Sequence, residues 1–136
     1  KALVDNRFDR IRNLNDRLMN ETFADIECEK EGKKYIISVK ARNKFQKNGK
    51  VNTRYNLGSE VYKKALLAEK KYDAVAHWIA IQFDKNSFSI YFGSLAELQG
   101  SRAIPVDKCE KGLVGEIWVY NRRHFFDFDY YTNQKK

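Results

Sequence analysis

Two periods alternate along this chain. Residues 5–21, DNRFDRIRNLNDRLMNE, place Phe8, Ile11, Leu14 and Leu18 three or four positions apart, with Arg and Asp between them. That spacing predicts an amphipathic helix. Over residues 24–29 the period falls to two: Ala24, Ile26 and Cys28 alternate with Asp25, Glu27 and Glu29, as in a half-buried strand. Gly32, in KEGK, supplies a turn, and YIISV continues as a more buried strand. Asn48-Gly49, in KNGK, is a hairpin signal. VNTRY then predicts a third strand, with Val51, Thr53 and Tyr55 on one face. Helical spacing returns over residues 57–72 at Leu57, Val61, Ala65, Ala68 and Tyr72. AVAHWIAIQF reads as a long central strand, and FSIYFG pairs back across DKNS. LAEL predicts a helical turn, and 103–106 and 116–120 predict short strands. HFFDFDYY has no assignable period.

The predicted order is helix, three antiparallel strands, helix, two further strands and an irregular tail. This is the order of an α/β domain with a mixed β-sheet flanked by helices. One such domain suits 136 residues, 43% of them hydrophobic and 14% aromatic. No run is long and apolar enough to span a bilayer, and no apolar leader marks the N-terminus, so a cytoplasmic, membrane-free protein is expected. The sequence begins at Lys1, as a processed product or a piece of a longer protein would. Charge changes the picture more than composition does. The formal net charge is +8 and the pI is about 9.5, which suits a polyanion partner, most commonly nucleic acid. Cys28 and Cys109 belong to no CxxC or Cys/His cluster, so free buried thiols are expected rather than a zinc site.

Side chains alternate faces along a strand, so Ser38 and Lys40 share one face and Asp25 and Glu27 share another. The hairpin decides whether these faces coincide. A two-residue turn at Glu31-Gly32, or a four-residue loop from Lys30 to Lys33, sets Asp25 opposite Ser38. An odd loop sets it opposite Val39, against the apolar pattern. Asp25, Glu27, Ser38 and Lys40 are therefore expected on one patch. Two carboxylates can hold a hard divalent cation. A lysine beside them can stabilise a developing phosphate anion.

FADIECEKEGKKYIISVKAR resembles the core of the PD-(D/E)XK nuclease superfamily, which has the restriction-endonuclease-like fold. Asp25 matches the first motif acid and Lys40 the motif lysine. The likeness runs through the second helix and YDAVAHWIAIQFDKNSFSIYF. It covers about residues 5–98, with 99–136 as a C-terminal extension of a single nuclease-like domain, 1–136. It implies metal-dependent phosphodiester hydrolysis, as in a DNA endonuclease. Asp25 and Glu27 would hold Mg²⁺ or Mn²⁺, Lys40 would act on the phosphate or the water, and Ser38 would be a hydrogen-bonding neighbour.

Ser38 departs from the pattern, which puts an acid two residues before the lysine. Three readings follow: Glu27 supplies the acid, or Asp16 or Glu21 of the first helix does, or the site is degenerate and the domain only binds nucleic acid. A protein-interaction domain with incidental charge is a third class of function. Arg42, Lys44, Lys47, Lys50 and Arg54, on the second hairpin and its approach, form the expected nucleic-acid-binding rim, DNA before RNA. Lys63, Lys64, Lys70 and Lys71 follow on the second helix. His77 lies in strand alternation, as a hydrogen-bonded structural histidine does. Arg122, Arg123 and His124 with the aromatic tail would serve base stacking, core closure or a homodimer interface. No Gly-rich phosphate loop is present.

Overall fold

The N-terminal stretch does not form the expected helix. In the computed structural model, which describes residues 1–15 and 23–121, Ala2–Asp5 make a single helical turn, α1, and Asp9–Asn13 make a strand, β1. The later part of the expected helix, with Leu18, lies outside the described residues. Asn and Asp compete for backbone bonds and weaken helices. Here Asn6 Nδ2 donates to the Ala2 carbonyl at 2.8 Å, and Asn13 Oδ1 accepts from the Asn15 amide at 2.9 Å. Phe8 and Leu14, the intended helix stripe, enter hydrophobic clusters on opposite faces of a sheet instead. Six residues apart they would share a face of a regular strand. The register shift between Asp9 and Arg12, with Arg10 at φ 49, changes the parity.

The remaining elements are β2 (Ile26–Lys30), β3 (Lys33–Asn43), β4 (Tyr55–Asn56), α2 (Val61–Tyr72), β5 (Val75–Phe83), β6 (Ser87–Ser94), a 3₁₀ turn (Leu95–Leu98), β7 (Ala103–Ile104), α3 (Val106–Glu110) and β8 (Glu116–Asn121). Six strands form one sheet in the order β1-β2-β3-β5-β6-β8. β3 and β5 are parallel, joined through α2, and every other neighbour pair is antiparallel. The sheet is mixed, as expected, but its third antiparallel strand is β1 and not VNTRY. β5 occupies one flank of β3 from Tyr35 to Asn43, and β2 occupies the other from Lys33 to Ile37. Residues 51–56 make only a bridge, Phe45 to Val51, and the two-residue pairing of β4 with β7. The predicted 103–106 strand shrinks likewise to β7, and Val106 begins α3.

The sheet carries a hydrophobic cluster on each face. α2 packs on one face through Val61, Ala65 and Ala68, against Ile36, Ala76, Trp78 and Ala80. Alanines on both sides let the helix lie close to the strands. The other face buries Cys28, Ile37, Ile79, Ile90 and Phe92. Trp78 is fully buried, and its Nε1–H donates to the Ser94 carbonyl at 3.0 Å. Two glycines make room for its ring. A Cβ at Gly93 would sit 2.5 Å from Trp78 Cζ2; one at Gly115 would sit 2.8 Å from Cη2 and 2.6 Å from the Phe92 carbonyl oxygen. We therefore expect Gly93→Ala to destabilise the fold by about 1–3 kcal/mol, the usual cost of overpacking. Urea unfolding followed by tryptophan fluorescence measures this; an unchanged midpoint would mean that the ring can move at no cost.

Candidate active site

Glu31 and Gly32 both have positive φ, 52° and 79°, and they form the two-residue turn between β2 and β3. Type I′ turns of this kind match the twist of the flanking strands. The resulting register pairs Lys30 with Lys33 and Ile26 with Ile37. One step further, the Asp25 amide donates to the Ile37 carbonyl at 2.8 Å, which sets Asp25 across from Ser38. There the backbone ladder hands over to a side chain: the Val39 amide donates to Asp25 Oδ2 at 2.7 Å. Asn15 Nδ2 donates to Asp25 Oδ1, and the Leu14 amide donates to the Asp25 carbonyl at 2.9 Å. The carboxylate is thus held by one donor on each oxygen, and each oxygen retains capacity for a further ligand.

Asp25, Ser38 and Lys40 line one small cavity of about 110 Å³. Its opposite wall is the segment entering α2: Leu57, Gly58, Glu60, Val61 and Lys64. Glu60 is the residue that sequence reasoning missed. Residues 57–72 read as one helix, but helical geometry begins at Val61 and leaves Glu60 as the cap position. The Glu60 side chain makes no capping bond to the helix. Caps are ordinarily Ser, Thr, Asp or Asn, so a glutamate directly before the first buried helical residue was the available signal. Lys64, one turn on, adds a second ammonium to the cavity.

Glu27 is not part of this wall. It lies one pleat along β2 on the same face, and its Oε2 is 3.3 Å from Arg12 Nη2. Asp16 and Glu21 lie outside the described residues. Among the described residues no group of three or more His, Cys, Asp or Glu converges as a metal cage. Two carboxylates with a hydroxyl nearby nevertheless fit Mg²⁺, which takes few protein oxygens and keeps several waters.

The basic residues divide. Arg42, Lys47 and Lys50 are exposed. Lys44 Nζ lies 3.7 Å from Glu110 Oε1, and Arg54 Nη2 lies 3.4 Å from Ser101 Oγ. Of the α2 lysines, Lys64 lines the cavity. Arg122, Arg123 and His124 lie outside the described residues. His77 is remote from the cavity: its ring stacks 5.2 Å from that of Phe92, Nδ1 is 2.9 Å from the Val75 carbonyl, and burial lowers its pKa. Among the described residues no helix is long and apolar enough to cross a membrane.

No protein-family model and no curated protein matches the sequence. Among solved structures, the chain is similar to Hjc of Archaeoglobus fulgidus, a Holliday junction resolvase from an archaeal hyperthermophile. The TM-score is 0.54 at 14% identity, over 78% of this chain and 81% of that one. The fold is restriction-endonuclease-like. In that fold the cavity described above is formed jointly by the β2–β3 hairpin and the start of α2.

Neither cysteine lines it. Cys28 and Cys109 are both buried free thiols, and burial, aided by nearby carboxylates, pushes each pKa up to about 12. Both stay protonated at neutral pH, where the thiolate is the reactive form. We expect neither to react with a disulfide reagent at pH 8 in the folded protein and both to react after denaturation. Rapid labelling of the native protein would contradict this placement.

Proposed function

We propose that the chain is a divalent-metal-dependent phosphodiesterase that cuts DNA. The observation that carries the proposal is the convergence of Asp25, Glu60 and Lys40 on one cavity. Asp25 and Glu60 would hold Mg²⁺ or Mn²⁺, with Glu60, rather than Glu27, in the role of the acid that Ser38 does not supply. A bound cation would supply an activated water and charge neutralisation at phosphorus. The Lys40 ammonium stabilises negative charge as it develops on the phosphoryl oxygens. Lys64 steadies a neighbouring phosphate as a point charge. Ser38 lines the cavity beside Asp25 and would offer a hydroxyl for hydrogen bonding there. Asn15 and the Val39 amide keep the Asp25 carboxylate in one orientation, so little reorganisation is needed when substrate binds. The structural likeness to a resolvase supports DNA over RNA. Cutting both strands of a duplex calls for two such sites, so a homodimer belongs to this reading.

A second reading rests on Ser38 itself. With an uncharged side chain where the family pattern has an acid, the domain would bind nucleic acid without cutting, and its binding would weaken steeply with salt.

Cleavage of linear and branched DNA in Mg²⁺ and in EDTA separates the two. We expect cutting only with the metal. Lys40→Ala should lose about 10²–10³-fold in rate, the usual loss on removing one charge-stabilising group. Asp25→Asn and Glu60→Gln should be at least as damaging, and Glu27→Gln should cut nearly as the wild type does. Metal-independent cutting, or full activity of Lys40→Ala, would sink the nuclease reading. Loss of activity in Glu27→Gln but not in Glu60→Gln would reassign the second acid.

A further inference from the structure

Between Glu31 and Glu60 the sequence contains no carboxylate, yet it holds Lys40, Arg42, Lys44, Lys47, Lys50 and Arg54. Midway along this acid-free stretch β3 runs on into a short hairpin over residues 44–51. The Gln46 amide donates to the Lys50 carbonyl at 2.7 Å, and Gly49, at φ 84, turns the chain. The base of the hairpin is pinned: the Lys44 amide donates to the Phe83 carbonyl at 2.7 Å, and the Asn52 amide donates to the Lys44 carbonyl at 2.8 Å. On this rigid base the bridged pair Phe45 and Val51 points two apolar side chains into solvent, 48% and 40% exposed. Lys44 Nζ lies 5.8 Å from the Phe45 ring centroid.

A phenyl ring and a branched side chain presented side by side, on a hairpin that carries the exposed Lys47 and Lys50 and no carboxylate of its own, suit a partner that is anionic and also has flat apolar faces. A base-paired duplex meets only the first requirement, because its bases are stacked on one another. A strand with unpaired bases meets both: its phosphates take the lysines and its bases offer π-faces to an aromatic platform. We infer that the 44–51 hairpin is a stacking wedge for unpaired bases, so that the DNA this protein takes carries a single-stranded segment beside the cavity. The inference rests on the nuclease reading for its DNA and deepens it by naming the substrate class. Position gives it a scale. Phe45 lies five residues beyond Lys40, two past the end of β3, so at most about 17 Å away at the rise of about 3.3 Å per residue of an extended chain. That is on the order of five nucleotides of a stacked strand.

Fluorescence anisotropy in EDTA tests the wedge without any cutting, using a single-stranded oligonucleotide, a duplex with a single-stranded tail and a blunt duplex. Phe45→Ala should weaken binding of the first two about 5–150-fold, the range set by loss of one base–aromatic stack. It should leave the blunt duplex unaffected, and Phe45→Trp should restore binding. Lys47→Ala with Lys50→Ala should weaken all three alike and flatten the salt dependence. Circular dichroism confirms that each variant is folded. Equal losses on all three DNAs for Phe45→Ala, or no loss on any, would overturn the wedge. If the wild type binds in this pattern but cuts nothing in Mg²⁺, the nuclease reading falls and the wedge stands. If it cuts while Phe45→Ala binds like the wild type, the wedge alone falls.

Discussion

The candidate site depends first on the pairing of β2 with β3. A slip of one residue would turn Asp25 against Val39 and move every side chain of one strand to the opposite face. Two constraints oppose the slip. Glu31 and Gly32 both hold positive φ in a two-residue turn, which fixes the count of residues between the strands. The burial pattern also admits one phase only, with Ile36 under α2 and with Ile37 and Cys28 on the other face. The Val39 amide then uses the Asp25 carboxylate as its acceptor. The contact that finishes the strand ladder is therefore the contact that orients the acid. Removing that carboxylate leaves a strand donor short of its partner, a loss of about 1–3 kcal/mol if no water replaces it.

Where the sequence pattern was strong and local, it gave the structure directly. The β2–β3 hairpin, α2 and the β5–β6 pair each combine a clear period with a turn or length that admits one solution. The Asp25–Ser38 register was legible for the same reason. The N-terminus misled because Phe8, Ile11 and Leu14 fit helical spacing, while the irregular pairing in β1 allows Phe8 and Leu14 to serve two faces. VNTRY misled because strand propensity says nothing about whether a sheet has a free edge. Glu60 carried one local signal, a glutamate directly before the first buried helical residue, and nothing local tied it to Asp25. The crossover through α2 brings it to the cavity that Asp25 lines, and its place at the helix entrance depends on a helix starting four residues later than periodicity suggested.

Ser38 looks different once its surroundings are known. It is 5% exposed and pairs along the sheet with the fully buried Trp78, whose ring fills the space left by Gly93 and Gly115. A carboxylate at position 38 would be charged in a nearly dry setting, and that is costly unless a cation is always present. A carboxylate at position 60 is exposed and stands at the start of a helix, where the backbone dipole favours negative charge. On the proposed reading, an acid at the helix entrance in place of one on the strand would keep an oxygen ligand at the cavity while easing the cost of the empty state.

The hairpin over residues 44–51 leaves the framework at Lys44 and returns at Asn52, and those two residues are hydrogen-bonded to each other. Whatever lies between them is a closed excursion. Its length and sequence can drift without altering the spacing of Lys40 and Glu60, because loop closure costs little more for a longer loop than for a shorter one. On the proposed nuclease reading, selection would therefore act on what this fold grips separately from what it does to the phosphate, and exchange of one short loop would be enough to give the same chemistry a new target.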